Sequence, residues 1–213
     1  MSTEKPKPLL ARHFSMLRSF AAADLITLGN GMAGMGSILA SMQYLSSGKM
    51  CFLWMAICLL PIAMVFDFMD GRVARWRHNG TALGAQLDSL ADLISFGVAP
   101  AAIAFTTGMH GGWDCIILVF FVSCGLSRLA RYNVTAASLS DESGKVKYFE
   151  GTPIPTSVIL VGILAILVHK GMIGENLPWG FWSVGPWGFH PLVLMYLVSG
   201  CAMISKTLHI PKL

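Results

Sequence analysis

Apolar residues in this chain run in long stretches parted by short polar joints, without the strict alternation of a half-buried strand. The stretches fall at 25–45, 51–73, 83–107, 114–136, 155–172 and 189–206. Each approaches the ~20 residues a helix needs to cross a hydrocarbon core. They predict an all-α integral membrane protein with six transmembrane helices. The opening run LLARHFSMLRSF has a different pattern. Leu10, Phe14, Leu17 and Met16 or Phe20 recur at helical spacing, with Arg12, Ser15 and Arg18 opposite. That pattern predicts an amphipathic helix lying in the membrane interface, the alternative being a fraying tail. The domain expectation is a cytoplasmic arm over 1–22 and one membrane domain over 23–213.

Charge placement supports an alternating path through a membrane. Lys5, Lys7, Arg12, Arg18, Arg72, Arg75, Arg77, Arg128, Arg131, Lys145, Lys147, Lys206 and Lys212 fall on one side of six alternating spans; only Lys49 and Lys170 fall on the other. By the positive-inside rule both termini are then expected in the cytoplasm. Composition agrees, with 54% hydrophobic and 12% charged residues, about half the charge of a soluble domain. The arm lacks the apolar core and cleavage site of a secretory signal. The net charge of +4 suits anionic headgroups and membrane lipids, not nucleic acid. Cys51, Cys58, Cys115, Cys124 and Cys201 have no metal-ligand spacing and are read as small buried hydrophobes. Trp179, Trp182 and Trp187 predict an aromatic belt at the outer interface.

The chemistry is concentrated in DFMDGRVARWRHNGTALGAQLDSLAD, residues 67–92. Asp67 and Asp70 are three apart and Asp88 and Asp92 four apart, so each pair shares a helix face. A carboxylate inside a membrane segment costs about 2.5–3.5 kcal/mol on insertion scales and usually faces a cavity or an ion. Two such faces can enclose one or two divalent cations, and oxygen ligands favour magnesium or manganese over zinc. Gly71 and Ala74 keep the helix slim beside the carboxylates, Arg75 can hold a phosphate, and Gly84 lets a ring or sugar approach the backbone. His78 is read as an exposed loop residue. The alternative is a structural cluster of these acids with Arg72, Arg75 and Arg77.

The spacing Asp-x2-Asp-Gly-x2-Ala-Arg-x8-Gly-x3-Asp-x3-Asp resembles the signature of the CDP-alcohol phosphatidyltransferases at every fixed position. The resemblance implies a membrane enzyme, commonly a homodimer, with its site at the cytoplasmic interface. It implies transfer of a phosphatidyl or phosphoalcohol group from a CDP-linked donor with release of CMP. It places a metal pair on Asp67, Asp70 and Asp88, with Asp92 completing the site and acting as general base. Gly71, Arg75, Thr81 and Gly84 would hold the CDP portion. In related enzymes the start of the first span contacts the nucleotide. Asp24, Thr27 and Asn30 share a face there, and Asp24 and Thr27 are the expected contacts. The other reading is an N-cap followed by a polar interhelical stripe. Gly29, Gly31, Gly34 and Gly36 are read as close-packing positions.

Two further stretches, SFGVAPA and GLSRLARYNV with KYFEGTPIPTS, resemble the serine-accepting branch of that family, in which L-serine attacks CDP-diacylglycerol. Arg128 and Arg131 would receive the serine carboxylate, with Tyr132 and Asn133 nearby and Glu150 as a further pairing group. Ser95, three residues after Asp92, either touches substrate or satisfies a backbone carbonyl. Alternatively both arginines are interfacial anchors or lipid-phosphate contacts. The compact length resembles the short bacterial and archaeal enzymes. The expected location is the cytoplasmic membrane of a prokaryote or the endoplasmic reticulum of a eukaryote. Rival acceptors are glycerol 3-phosphate, inositol phosphate and choline. Outside the family, the rivals are a divalent-cation transporter and a catalytically idle scaffold.

Overall fold

The computed structural model describes residues 22–77, 82–139, 148–150, 152–205 and 209–211. Seven α-helices are described: α1 (Ala22–Ser47), α2 (Met50–Arg77), α3 (Ala82–Asp92), α4 (Ala99–Thr106), α5 (Gly112–Leu139), α6 (Ser157–His169) and α7 (Leu194–Ile204). Their outward surface is apolar: Met32 is 74%, Val119 66% and Val198 68% exposed. Such a surface is incompatible with water and suited to lipid.

Four segments are long and apolar enough to cross a membrane: Ala23–Ser47, Met50–Val73, Leu83–Thr106 and Gly112–Val134. The expectation of six spans is therefore corrected. The fifth and sixth stretches form the shorter apolar helices Ile154–His169 and Pro191–Ile204. Their ends explain the difference. A 3-10 turn over Ile154–Thr156 follows Pro153, and at the other end Gly171 adopts φ +71° just past the helix, a left-handed C-terminal stop. The 13 residues of α6 rise roughly 20 Å, against a hydrocarbon core of about 30 Å. The last stretch is shortened by His190 and Pro191, where a 3-10 turn starts. The alternation that placed both termini in the cytoplasm loses its basis with the six-span count. The interfacial helix expected over the opening arm lies outside the described residues, as do His78 and Thr81.

The third span is not one regular helix. Between α3 and α4, Leu93–Val98 forms a π-helical segment, closed by Ala99 N–H donating to Ile94 O. Pro100 cannot donate to the carbonyl of Phe96, which favours a widened turn. Tyr196 Oη, fully buried, donates to Pro100 O at 3.1 Å and ties α7 to the same place.

Small residues set the spacing of α1 against its neighbours. Ser37 Oγ donates to Ala56 O at 2.8 Å, and Ala33 and Ala40 face the core with Leu53, Ala56, Leu60 and Ala63 of α2. Gly31 packs on Ala91, and Gly34 lies against Ser95 at the start of the π-helical segment. The close-packing role expected for these glycines fits that geometry. The cysteines are all free, but Cys51, Cys58 and Cys201 are exposed. The expectation of burial is corrected for those three, whose thiols sit on the apolar outer surface.

Two small antiparallel pairs lie at the ends of the bundle. In one, β1 (Tyr148–Glu150) pairs with β4 (His209–Pro211). In the other, β2 (Trp182–Val184) and β3 (Trp187–Phe189) form a hairpin. The hairpin is fastened to α5. Trp113 Nε1 donates to Val184 O at 3.1 Å, and buried Asp114 accepts from the backbone of His190 at 2.8 Å, from His190 Nδ1 at 2.7 Å and from Gly111 N–H at 2.9 Å. Trp179, Trp182 and Trp187 are exposed beside it, as a belt requires.

A Cβ on Gly34 would lie 2.7 Å from Ser95 Cα, a backbone atom that cannot swing away. Gly34→Ala is expected to cost about 1–3 kcal/mol of stability through overpacking. At Gly162 a Cβ meets nothing within 4 Å, so Gly162→Ala should be neutral or mildly stabilising. Thermal unfolding of both variants in detergent checks this; equal midpoints would show that α1 tolerates the displacement.

Candidate metal and phosphate site

Three helices converge on the acidic stretch. Asp67 and Asp70 lie near the end of α2, Asp88 and Asp92 at the end of α3, and α1 crosses beside both. Asp70 and Asp92 are buried, while Asp67 and Asp88 are partly covered. One carboxylate oxygen from each of Asp67, Asp70 and Asp88 falls within a 4.8 Å cluster. That spread suits oxygen ligands around one divalent cation, so the cluster can hold such an ion. Asp88 Oδ1 is buried without a hydrogen-bond partner among the described residues, as an oxygen reserved for a ligand would be. Asp92 is outside this three-residue group, one helical turn beyond Asp88 on α3.

The polar stripe of α1 serves the carboxylates directly. Thr27 Oγ1 lies 2.7 Å from Asp70 Oδ2 and 3.1 Å from Ala23 O, and its single proton has the shorter and stronger partner in the carboxylate. Asn30 Nδ2 donates to Asp92 Oδ1 at 3.0 Å. The stripe therefore orients two acids from a neighbouring helix. Asp24 is buried in the first turn of α1. The spacing of Thr27 and Asn30 was visible in the sequence, but which helix they would face was not.

The remaining expected residues separate into groups. Gly71 adjoins Asp70, and a Cβ there would meet nothing within 4 Å, so open space lies against this part of α2. Arg75 is carried on the backbone of α2, and Gly84 lies in the first turn of α3, partly covered. Arg72, the cation once weighed as a salt-bridge partner for the acids, instead places its guanidinium 4.6 Å from the centre of the Phe68 ring.

Arg128 and Arg131, expected as a pair, are divided. Arg128 is partly covered, with Nε buried and unpartnered among the described residues, and its charge acts on Asp92. Arg131 and Tyr132 are exposed. Asn133 is a strut: Ser89 Oγ donates to its Oδ1 at 3.1 Å and its Nδ2 donates to Gln86 at 3.3 Å, joining α5 to α3. Ser95, expected near the acceptor, is fully buried and donates to Asn30 O at 2.9 Å. This is the second of the two roles its sequence position allowed, a hydroxyl that satisfies a backbone carbonyl.

The profile of the family described as CDP-alcohol phosphatidyltransferase matches residues 20–198. CDP-diacylglycerol–serine O-phosphatidyltransferase of Saccharomyces cerevisiae is 50% identical over 203 residues, which cover 94% of this chain and 74% of the yeast protein. The protein of the same description from Mycobacterium bovis is 32% identical over 158 residues, covering 72% of this chain and 52% of its own length. That from Methanocaldococcus jannaschii is 29% identical over 164 residues, covering 77% and 70%. The yeast protein is thus more similar than the archaeal one, despite the compact length. Among solved structures, Mycobacterium tuberculosis phosphatidylinositol phosphate synthase with CDP-DAG bound superposes with a TM-score of 0.51 at 20% identity. The match covers 92% of this chain and 86% of that one, and it shows a shared fold.

Thr27→Val keeps the volume of the side chain and deletes the donor to Asp70. Loss of such an outer partner typically weakens a metal site about 10–100-fold, and that loss is expected for manganese binding here. Titration of the purified variant, read as free Mn2+ by electron paramagnetic resonance, checks it. Unchanged affinity would mean that Asp70 needs no help from α1.

Proposed function

Because this chain belongs to the CDP-alcohol phosphatidyltransferase family, we propose that it transfers the phosphatidyl group of CDP-diacylglycerol to the hydroxyl of L-serine, giving phosphatidylserine and CMP. The observation that carries the acceptor is the 50% identity to the yeast serine enzyme across 94% of this chain. The acidic cluster supports the reaction type.

In this reading Asp67, Asp70 and Asp88 would hold magnesium or manganese, as one ion or a pair, and Asp92 completes the site beside them. Held there, the metal would supply charge neutralisation for the pyrophosphate and for the departing CMP. Gly71, Arg75, Thr81 and Gly84 hold the nucleotide, and the open space beside Gly71 supports its part. Asp24, buried in the first turn of α1, is a second nucleotide contact. Thr27 acts there through Asp70.

Asp92 is the general base. The serine oxygen attacks the phosphorus that bears diacylglycerol, its proton passes to Asp92, and the bond from that phosphorus to the CMP oxygen breaks. The buried, unpartnered Nε of Arg128 supports its assignment as receiver of the serine carboxylate, since a guanidinium fork matches a carboxylate and a buried donor needs an acceptor. Arg131 and Tyr132 line the exposed approach.

The site faces the cytoplasm. Arg72, Arg75 and Arg77 follow the acids on α2, and Arg128 and Arg131 lie at the same end of α5, the distribution the positive-inside rule gives a cytoplasmic face. A homodimer in the cytoplasmic or endoplasmic reticulum membrane, with residues 1–22 as a separate arm, completes the proposal; the family profile starting at residue 20 supports that boundary.

CMP release by the purified protein with CDP-diacylglycerol and manganese should require L-serine, and glycerol 3-phosphate, inositol phosphate and choline should not replace it. Release with one of those instead would keep the acidic site and discard the serine assignment. Asp92→Asn is expected to abolish turnover while leaving CDP-diacylglycerol binding in place, because it keeps the shape and removes the base. Arg128→Ala should raise KM for serine far more than KM for the lipid donor; equal rises in steady-state kinetics would make Arg128 a structural residue.

A further inference from the structure

Asn30 is fully buried on α1, one turn beyond Thr27. Its amide orientation is set by chemistry, because a carboxylate can only accept and the NH2 group must face Asp92. The amide oxygen is then left with no partner among the described residues. An unpaired buried amide oxygen is costly, so packing alone does not account for an asparagine here. The one bond that it makes does: Nδ2 to Asp92 Oδ1, 3.0 Å.

Both ends of that bond are anchored. Ser95 Oγ donates to the backbone oxygen of Asn30 itself at 2.9 Å, and Gly34 admits Ser95 to within packing distance of α1. Ser95 belongs to the π-helical segment that starts directly after Asp92. The backbone carrying Asp92 and the backbone carrying Asn30 are thereby fixed to each other. Asp92, moreover, is the acid outside the three-carboxylate cluster.

We propose that Asn30 is the positioning residue for the transfer: it occupies Oδ1 of Asp92, so that Oδ2 is the oxygen presented to the acceptor hydroxyl. The inference rests on the reading of Asp92 as general base. A base held by one oxygen has one direction in which to receive a proton, and misplacement of a reacting group by a fraction of a hydrogen-bond length is slow in kcat without being weak in binding.

The test uses the full chain in detergent with CDP-diacylglycerol, L-serine and manganese. Asn30→Ala removes the donor, and Asn30→Leu removes it while keeping the side-chain volume and adding no charge beside the carboxylates. For both, kcat is expected to fall about 10–100-fold, the usual effect of losing an outer partner. KM for the lipid donor, the manganese requirement and CDP binding measured by calorimetry should stay within about twofold of the parent. A kcat within twofold of the parent overturns the proposal. So does a loss carried by KM, CDP binding or the manganese requirement, which would make Asn30 a support for the site as a whole. Failure of both variants to fold would overturn it as well, marking Asn30 as a packing residue. Asp92→Asn separates this inference from its premise. If that variant turns over normally, the base assignment fails first; if it is inactive while Asn30→Ala is unimpaired, only the positioning role fails.

Discussion

Mutual repulsion among carboxylates in an apolar setting is the constraint around which this fold is arranged. Three acidic oxygens within 4.8 Å repel one another by roughly 3 kcal/mol per pair or more at an effective dielectric of about 20. Apolar helices cannot screen that repulsion, and α2 and α3 would separate at this point without compensation. Two compensations are open to the fold. A cation held between the carboxylates would reverse the sign of the interaction, and donors from α1 satisfy one oxygen each of Asp70 and Asp92. Thr27 and Asn30 supply those donors one turn apart, each to an acid of a different helix. The first helix is thus the third wall of the acidic site, which is why its small residues bring it so close to α2 and to the segment after Asp92.

That closeness depends on the irregular third span. A regular helix through residues 93–98 would need a Pro100 amide that does not exist. The π-helical turn relieves this and shifts the register by which later side chains point. Ser95 then meets α1, and Gly34 is the residue that lets it. Tyr196 fixes the carbonyl of Pro100 from the far side. The position of Asp92 is therefore set by a proline eight residues downstream, a serine three residues downstream and a helix sixty residues upstream.

The acidic signature was legible because its periods are local: spacings of three and four put side chains on one face whatever surrounds the helix. The first four apolar stretches were legible for the same reason, since length alone decides them. The last two were misjudged because apolar composition continues past the points where backbone geometry stops the helix, at Gly171 and at Pro191. Partner choice was the least visible property. Ser95 shares a face with Asp92 on an ideal helix, and only the π-helical turn sends it elsewhere. Arg128 and Arg131 share a face by count, yet neighbouring helices cover one and expose the other. Asp114 and His190 are 76 residues apart and gave no joint signal, although an acid in the first turn of an apolar helix marks a donor to come.

The two ends of the bundle solve the same problem in different ways, and the contrast locates the chemistry. At the hairpin end, Asp114 is fully buried and accepts from Gly111 and twice from His190, so its charge is met inside the protein. At the acidic end the protein leaves positions open. Of the buried side-chain atoms without a partner among the described residues, those from amide or charged groups are Asn30 Oδ1, Asp88 Oδ1 and Arg128 Nε; the rest are hydroxyls of Ser41, Thr152 and Ser157. Two acceptors and a cationic donor are left unsatisfied around one carboxylate cluster. A structural site would have closed those bonds, as Asp114 does. A site that binds a cation and a polar substrate in turn must leave them to its ligands, and the unmet valences at this end have the mixed sign that such a pair of ligands would satisfy.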